Sequence, residues 1–136
     1  VFYALVLLGV GLSLFHAIRS NIYWNEKLAL ERQQEAALEK AREDEILDKL
    51  QYSKFARVQV VCRIRENVQG DKIEDIQTHL RKFVIENIIK PLGPQNISNY
   101  QLGAWGDYDV YFIADVSKDG YENLKKNIHV WKIEPK

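Results

Sequence analysis

The chain has 136 residues, with 19 basic side chains against 19 acidic ones, a formal net charge of zero and 46% hydrophobic residues. Zero net charge argues against a nucleic-acid binder that relies on bulk positive charge. The single cysteine excludes an intramolecular disulfide framework and any multi-cysteine zinc or iron–sulfur site. The length fits one compact domain with chain to spare, and the absence of Met with Val1 at the start reads as a processed or internal beginning.

The spare chain comes first. Residues 1–18 carry no Asp, Glu, Lys or Arg. As a helix they span roughly 27 Å at about 1.5 Å per residue, nearly the hydrocarbon thickness of a bilayer. Arg19, Tyr23 and Trp24 follow as an interfacial anchor. The spacing predicts a single transmembrane helix over 1–20. A cleaved signal peptide would need a small-x-small site, which is missing here. Gly9 and Ser13, with Gly11 nearby, form a small-residue face that lets a neighbouring helix approach closely. His16, near the membrane edge, reads as a hydrated interfacial side chain.

Residues 19–52 hold six basic and eight acidic side chains. From 21 to 52 the chain lacks Gly and Pro and is rich in Ala, Leu, Glu, Lys, Gln and Arg, which predicts a continuous charged helical stalk. Glu45 and Lys49 are a favourable i,i+4 pair. No heptad register keeps both seam positions apolar, so a self-sufficient coiled coil is not expected.

Residues 53–136 read as a small domain. Val58, Val60, Cys62 and Ile64 alternate with Arg57, Gln59, Arg63 and Arg65, a strand with one buried face. Gln69-Gly70 signals a turn, and Asp71 with Glu74 a capping box for a helix carrying Ile73, Ile76, Leu80, Phe83, Val84 and Ile88 through Lys90. Pro91, Gly93 and Pro94 stop it. Strands follow over 97–104 and 108–116, joined at Gly106-Asp107, then a short helix capped by Ser117 or Asp119, then a strand over 128–134. The fold class is therefore α+β, with a βαββαβ order that predicts a ferredoxin-like domain. Helices would cover one sheet face. The other carries Arg57, Arg63, Arg65, Tyr111 and Ile113 and is the expected partner-binding face.

Catalytic chemistry finds little support. Cys62 falls on the buried face, where thiols are inert core residues. His79 and His129 lack a second ligand at metal spacing. Asp107 and Asp109 flank a turn that explains them without catalysis. Phosphate loops, nucleophile elbows and zinc motifs are missing from the sequence. The aromatic pattern that reads single-stranded RNA on such a sheet is missing too. Asn96-Ile97-Ser98 is a glycosylation sequon that matters only in a secretory lumen.

The run Gly106-Asp107-Tyr108-Asp109-Val110 resembles the Gly-x-Tyr-Asp start of the third strand in dimeric α/β-plait sensor domains. The layout resembles pilus and type II secretion alignment proteins, which place a membrane helix and a helical stalk before a ferredoxin-like domain. Those resemblances imply assembly and pairing rather than catalysis. The expectation is a non-enzymatic, single-pass accessory subunit of a larger membrane complex, in the bacterial or mitochondrial inner membrane. It would use no cofactor, metal or nucleic acid. The alternative is a membrane-tethered sensor whose domain forms a homodimer and binds a small ligand.

Overall fold

The computed structural model describes residues 2–65 and 72–136. The turn expected at Gln69-Gly70 and the cap expected at Asp71 lie outside the described residues. The first element, α1 (Phe2–Tyr52), is one unbroken helix of 51 residues. By contacts the chain divides into two compact units, Val1–Lys40 and Ala41–Lys136.

In the first unit, α1 carries an apolar, almost charge-free stretch with none of it buried, long and apolar enough to span a membrane. It is a candidate membrane span by length and composition. Buried apolar helices need a protein core around them; this one has none among the described residues.

The second unit is an α+β structure. Its elements are the end of α1, then β1 (Ala56–Cys62), α2 (Ile73–Val84), a π turn (Ile85–Ile89), α3 (Lys90–Leu92), β2 (Ile97–Trp105), β3 (Asp109–Val116), α4 (Lys118–Lys126) and β4 (Val130–Pro135). The four strands form one sheet in the order β2-β3-β1-β4. Every neighbouring pair is antiparallel, with Val60 opposite Phe112 and Ile133, and Leu102 also opposite Phe112.

Strand alternation decides where the core lies. Ala56, Val58, Val60 and Cys62 of β1 and Val110, Phe112, Ala114 and Val116 of β3 point to one face and are buried there. Leu80 and Val84 of α2, Ile88 and Ile89 of the π turn, and Tyr121 and Leu124 of α4 close over them. The π turn widens the helix locally, and its Ile88 and Ile89 are both buried. It precedes Pro91, whose ring removes an amide donor and crowds the carbonyl four residues back. Gly93 then takes φ 78°, a left-handed conformation that glycine adopts freely, and ends the helix.

The last turns of α1 belong to this core. Ile46 is fully buried in the same cluster, and Leu47 and Leu50 pack against it. Arg42 meets Glu134 at 3.7 Å, and Glu43 pairs with Lys125. That hydrogen bond raises the Lys125 pKa. The sequence pattern had set the border between stalk and domain at residue 52; the compact unit begins at Ala41. Three apolar positions in five, among charged neighbours, make too short a stripe to stand out in a polar helix. The Glu45–Lys49 pair forms at 3.3 Å. The cap expected at Ser117 is present too, its hydroxyl accepting from the Gly120 amide at 3.1 Å.

Candidate partner-binding face

The sheet face away from the helices is built by the alternate residues of all four strands. Arg57, Gln59 and Val61 on β1 stand opposite Asp115, Ile113 and Tyr111 on β3. β2 adds Gln101, Gly103 and Trp105, and β4 adds Lys132 and Glu134. The strands therefore bring Arg57, Tyr111 and Ile113 together, and Arg63 reaches Asp109 just beyond the end of β1. Arg65 lies in the segment after β1, outside the sheet ladder.

The arginines are not a free basic row. Arg57 lies 3.3 Å from Asp115, which also accepts from Asn99 at 3.0 Å. Arg63 Nε lies 3.5 Å from the Asp109 carboxylate. Each such half-exposed pair contributes about 0.2–1 kcal/mol, but together they neutralise two of the three guanidinium groups locally. Lys132 is likewise balanced by Glu134 at 3.2 Å.

The centre of the face is aromatic and largely closed. Tyr111 meets Trp105 edge-to-face at 6.1 Å, and the Lys132 ammonium sits 4.7 Å from the Trp105 ring. Gly103 makes this possible. A Cβ there would come within 2.5 Å of the Tyr111 ring, so only glycine lets the phenol lie across β2. Val61, beneath this layer, is fully buried although it points away from the helices, and Gln59 is buried beside it.

Gln77 was invisible as a key residue in the sequence. Buried on α2, its amide nitrogen lies 2.8 Å from the Asp107 carbonyl and 3.1 Å from that of Asp109, fastening the β2–β3 hairpin to the helix layer. Asp107 lies in the turn, whereas Asp109 opens β3 and its carboxylate serves Arg63. Cys62 is buried, and desolvation, followed by the Asp109 charge, pushes its thiol up to about 12. The thiolate, which is the reactive form, is disfavoured there. His79 is exposed on α2, whereas His129 packs edge-on against Phe83 at 5.0 Å. Among the described residues, no three His, Cys, Asp or Glu side chains gather to hold a metal ion.

No family model, curated protein or solved structure gave a match to the chain.

On the apolar part of α1, Gly9 and Ser13 line a shallow groove with Val6, Val10, Leu14 and Ala17. Gly11 lies off that groove, and nothing stands within 4 Å of a Cβ placed on either glycine. Farther on, Tyr23 and Trp24 meet edge-to-face at 6.0 Å, and Lys27 sits 5.1 Å from the Trp24 ring. Arg19, Tyr23 and Trp24 are all exposed.

Proposed function

We propose that this chain is a non-catalytic, single-pass membrane subunit of a larger assembly. The apolar part of α1 spans an inner membrane, bacterial or mitochondrial, and packs on a neighbouring helix through Gly9 and Ser13. The α+β unit, whose strand order is that of a ferredoxin-like fold, meets protein partners outside the bilayer. The observation that carries this reading is the apolar stretch of α1, which is entirely outside any core. Exposed to water, such a surface is untenable; lipid or another helix must cover it. The groove of small side chains supports helix contact over lipid alone.

Gentle detergent extraction followed by sizing tests the proposal. The expected result is co-elution with partner proteins, lost when Gly9→Leu and Ser13→Leu fill the groove. A stable monomer from native membranes would overturn it.

A further inference from the structure

One depression in the α+β unit lies apart from the centre of the sheet face. It has a volume of about 380 Å³ and is lined by Arg63, Arg65, Ile128, His129, Val130 and Trp131. Its origin is a fault in strand register. Val61 faces Lys132 while Cys62 faces Val130, so Trp131 is the extra residue of a β-bulge. Bulges re-aim side chains. Here the indole lies against Arg63, whose guanidinium carbon is 3.5 Å from the ring centroid.

The site is organised before anything binds. Stacking on Trp131 and the Asp109 carboxylate hold the Arg63 guanidinium from two directions. A planar cation fixed in this way loses less freedom when it meets a carboxylate. Beyond β1, the Arg63 amide donates to the His129 carbonyl at 2.8 Å, and the His129 amide donates to the Asn127 side chain at 2.9 Å. That turn leaves Ile128 outermost, 90% exposed, next to Trp131 at 47%.

We propose that this cleft docks an acidic segment of a partner protein. The partner's carboxylates meet Arg63 and Arg65, and an adjoining apolar side chain lies on Trp131 and Ile128. The inference rests on the reading of the chain as a subunit that contacts other proteins. Charge complementarity sets the sign of the occupant: Asp109 meets Arg63 at Nε, Arg65 adds a second guanidinium, and no carboxylate lines the cleft among the described residues. Openness sets its kind. Small-molecule sites bury 70–90% or more of their ligand, whereas a rim with Ile128 and Trp131 this exposed suits a peptide lying across it. Arginine and tryptophan are also the residues most enriched at binding hot spots.

The test uses the full chain in detergent micelles. The probes are the acetylated peptides Glu-Glu-Phe-Glu and Gln-Gln-Phe-Gln, read by tryptophan fluorescence with Trp131→Phe to assign the signal. Saturable quenching by the acidic peptide is expected. Binding should weaken about tenfold for the Gln peptide, for Arg65→Glu and for Ile128→Asp, and weaken further with salt. Both substituted side chains are exposed, so the fold is retained, and Lys-Lys-Phe-Lys should bind Arg65→Glu better than it binds the parent chain. Equal binding of the acidic and Gln peptides would overturn the proposal, as would unchanged affinity in both variants. Displacement by phosphate alone at the peptide's concentration would overturn it in favour of a bare anion site. An intact assembly with a silent peptide refutes the cleft and leaves the subunit reading standing. A monomeric chain that binds the peptide refutes the subunit reading and leaves the cleft.

Discussion

Ile46→Ala separates a domain that includes the end of α1 from one merely tethered by it. Ile46 is fully buried in the cluster that holds Val58, Phe112 and Leu124. Removing three carbons from such a site costs about 2–5 kcal/mol, as transfer free energy plus the cavity left behind. Ordinary domains hold only about 5–15 kcal/mol in all, so the variant should unfold at markedly lower denaturant. Leu38→Ala, at an exposed position on the same helix, should stay within about 0.5 kcal/mol of the parent. The same contacts predict that residues 41–136 unfold cooperatively. Residues 53–136, deprived of Ile46, Leu47 and Leu50, should lose on the order of 5 kcal/mol and bind a hydrophobic dye. The ion pairs of Arg42 and Glu43 are surface pairs worth about 0.5 kcal/mol each and do not alter that expectation. Chemical denaturation followed by far-UV circular dichroism measures all four. An Ile46→Ala midpoint equal to that of Leu38→Ala would refute the assignment of these turns to the core.

Three further outcomes follow from the geometry. Gly120→Ala opposes two effects: helix propensity favours alanine by about 1 kcal/mol, but the new methyl would run into the Asn96 carbonyl. Overpacking against backbone costs about 1–3 kcal/mol, so the variant should melt at a lower temperature. Ser117→Ala removes the cap of α4 and should cost about 1 kcal/mol by denaturant titration. For Cys62 the folded thiol titrates near 12 against an ordinary 9.0. The folded state therefore holds its proton more tightly, and that contribution is complete below pH 9 and is lost as the pH rises toward 12. Cys62→Ala should flatten the fall in stability across that window, and the native thiol should resist iodoacetamide until the protein is unfolded.

The parts of the fold legible in the sequence are those whose signal is local. β1 and β3 announce themselves because one face of each is buried and the side-chain period is two. Ser117 is legible because a hydroxyl at a helix start has one common use. Arg57, Tyr111 and Ile113 fall on one face by the same alternation, but their ion-pair partners depend on strand register, which no single strand reveals. The bulge at Trp131 is a property of β1 and β4 together, so the indole stacked on Arg63 had no local signature. Gln77 looks like any polar helix residue until the hairpin carbonyls arrive from 30 and 32 positions away. The π turn is similar: Pro91 signals that the helix ends, and gives no sign that the helix widens first.

The burial of Ile46 also has a consequence in time. Glu43 finds Lys125 82 residues later, and the Lys49 ammonium finds the Lys136 carbonyl 87 residues later. At about 5–20 residues per second, the turns around Ile46 leave the ribosome roughly 4–17 s before those partners do. Through that interval Ile46, Leu47 and Leu50 lack much of the core they end in, Phe112, Val116 and Leu124 among it. Pairings this distant in sequence also form slowly. Synthesis of this chain therefore includes a vulnerable interval whose length is set by translation speed.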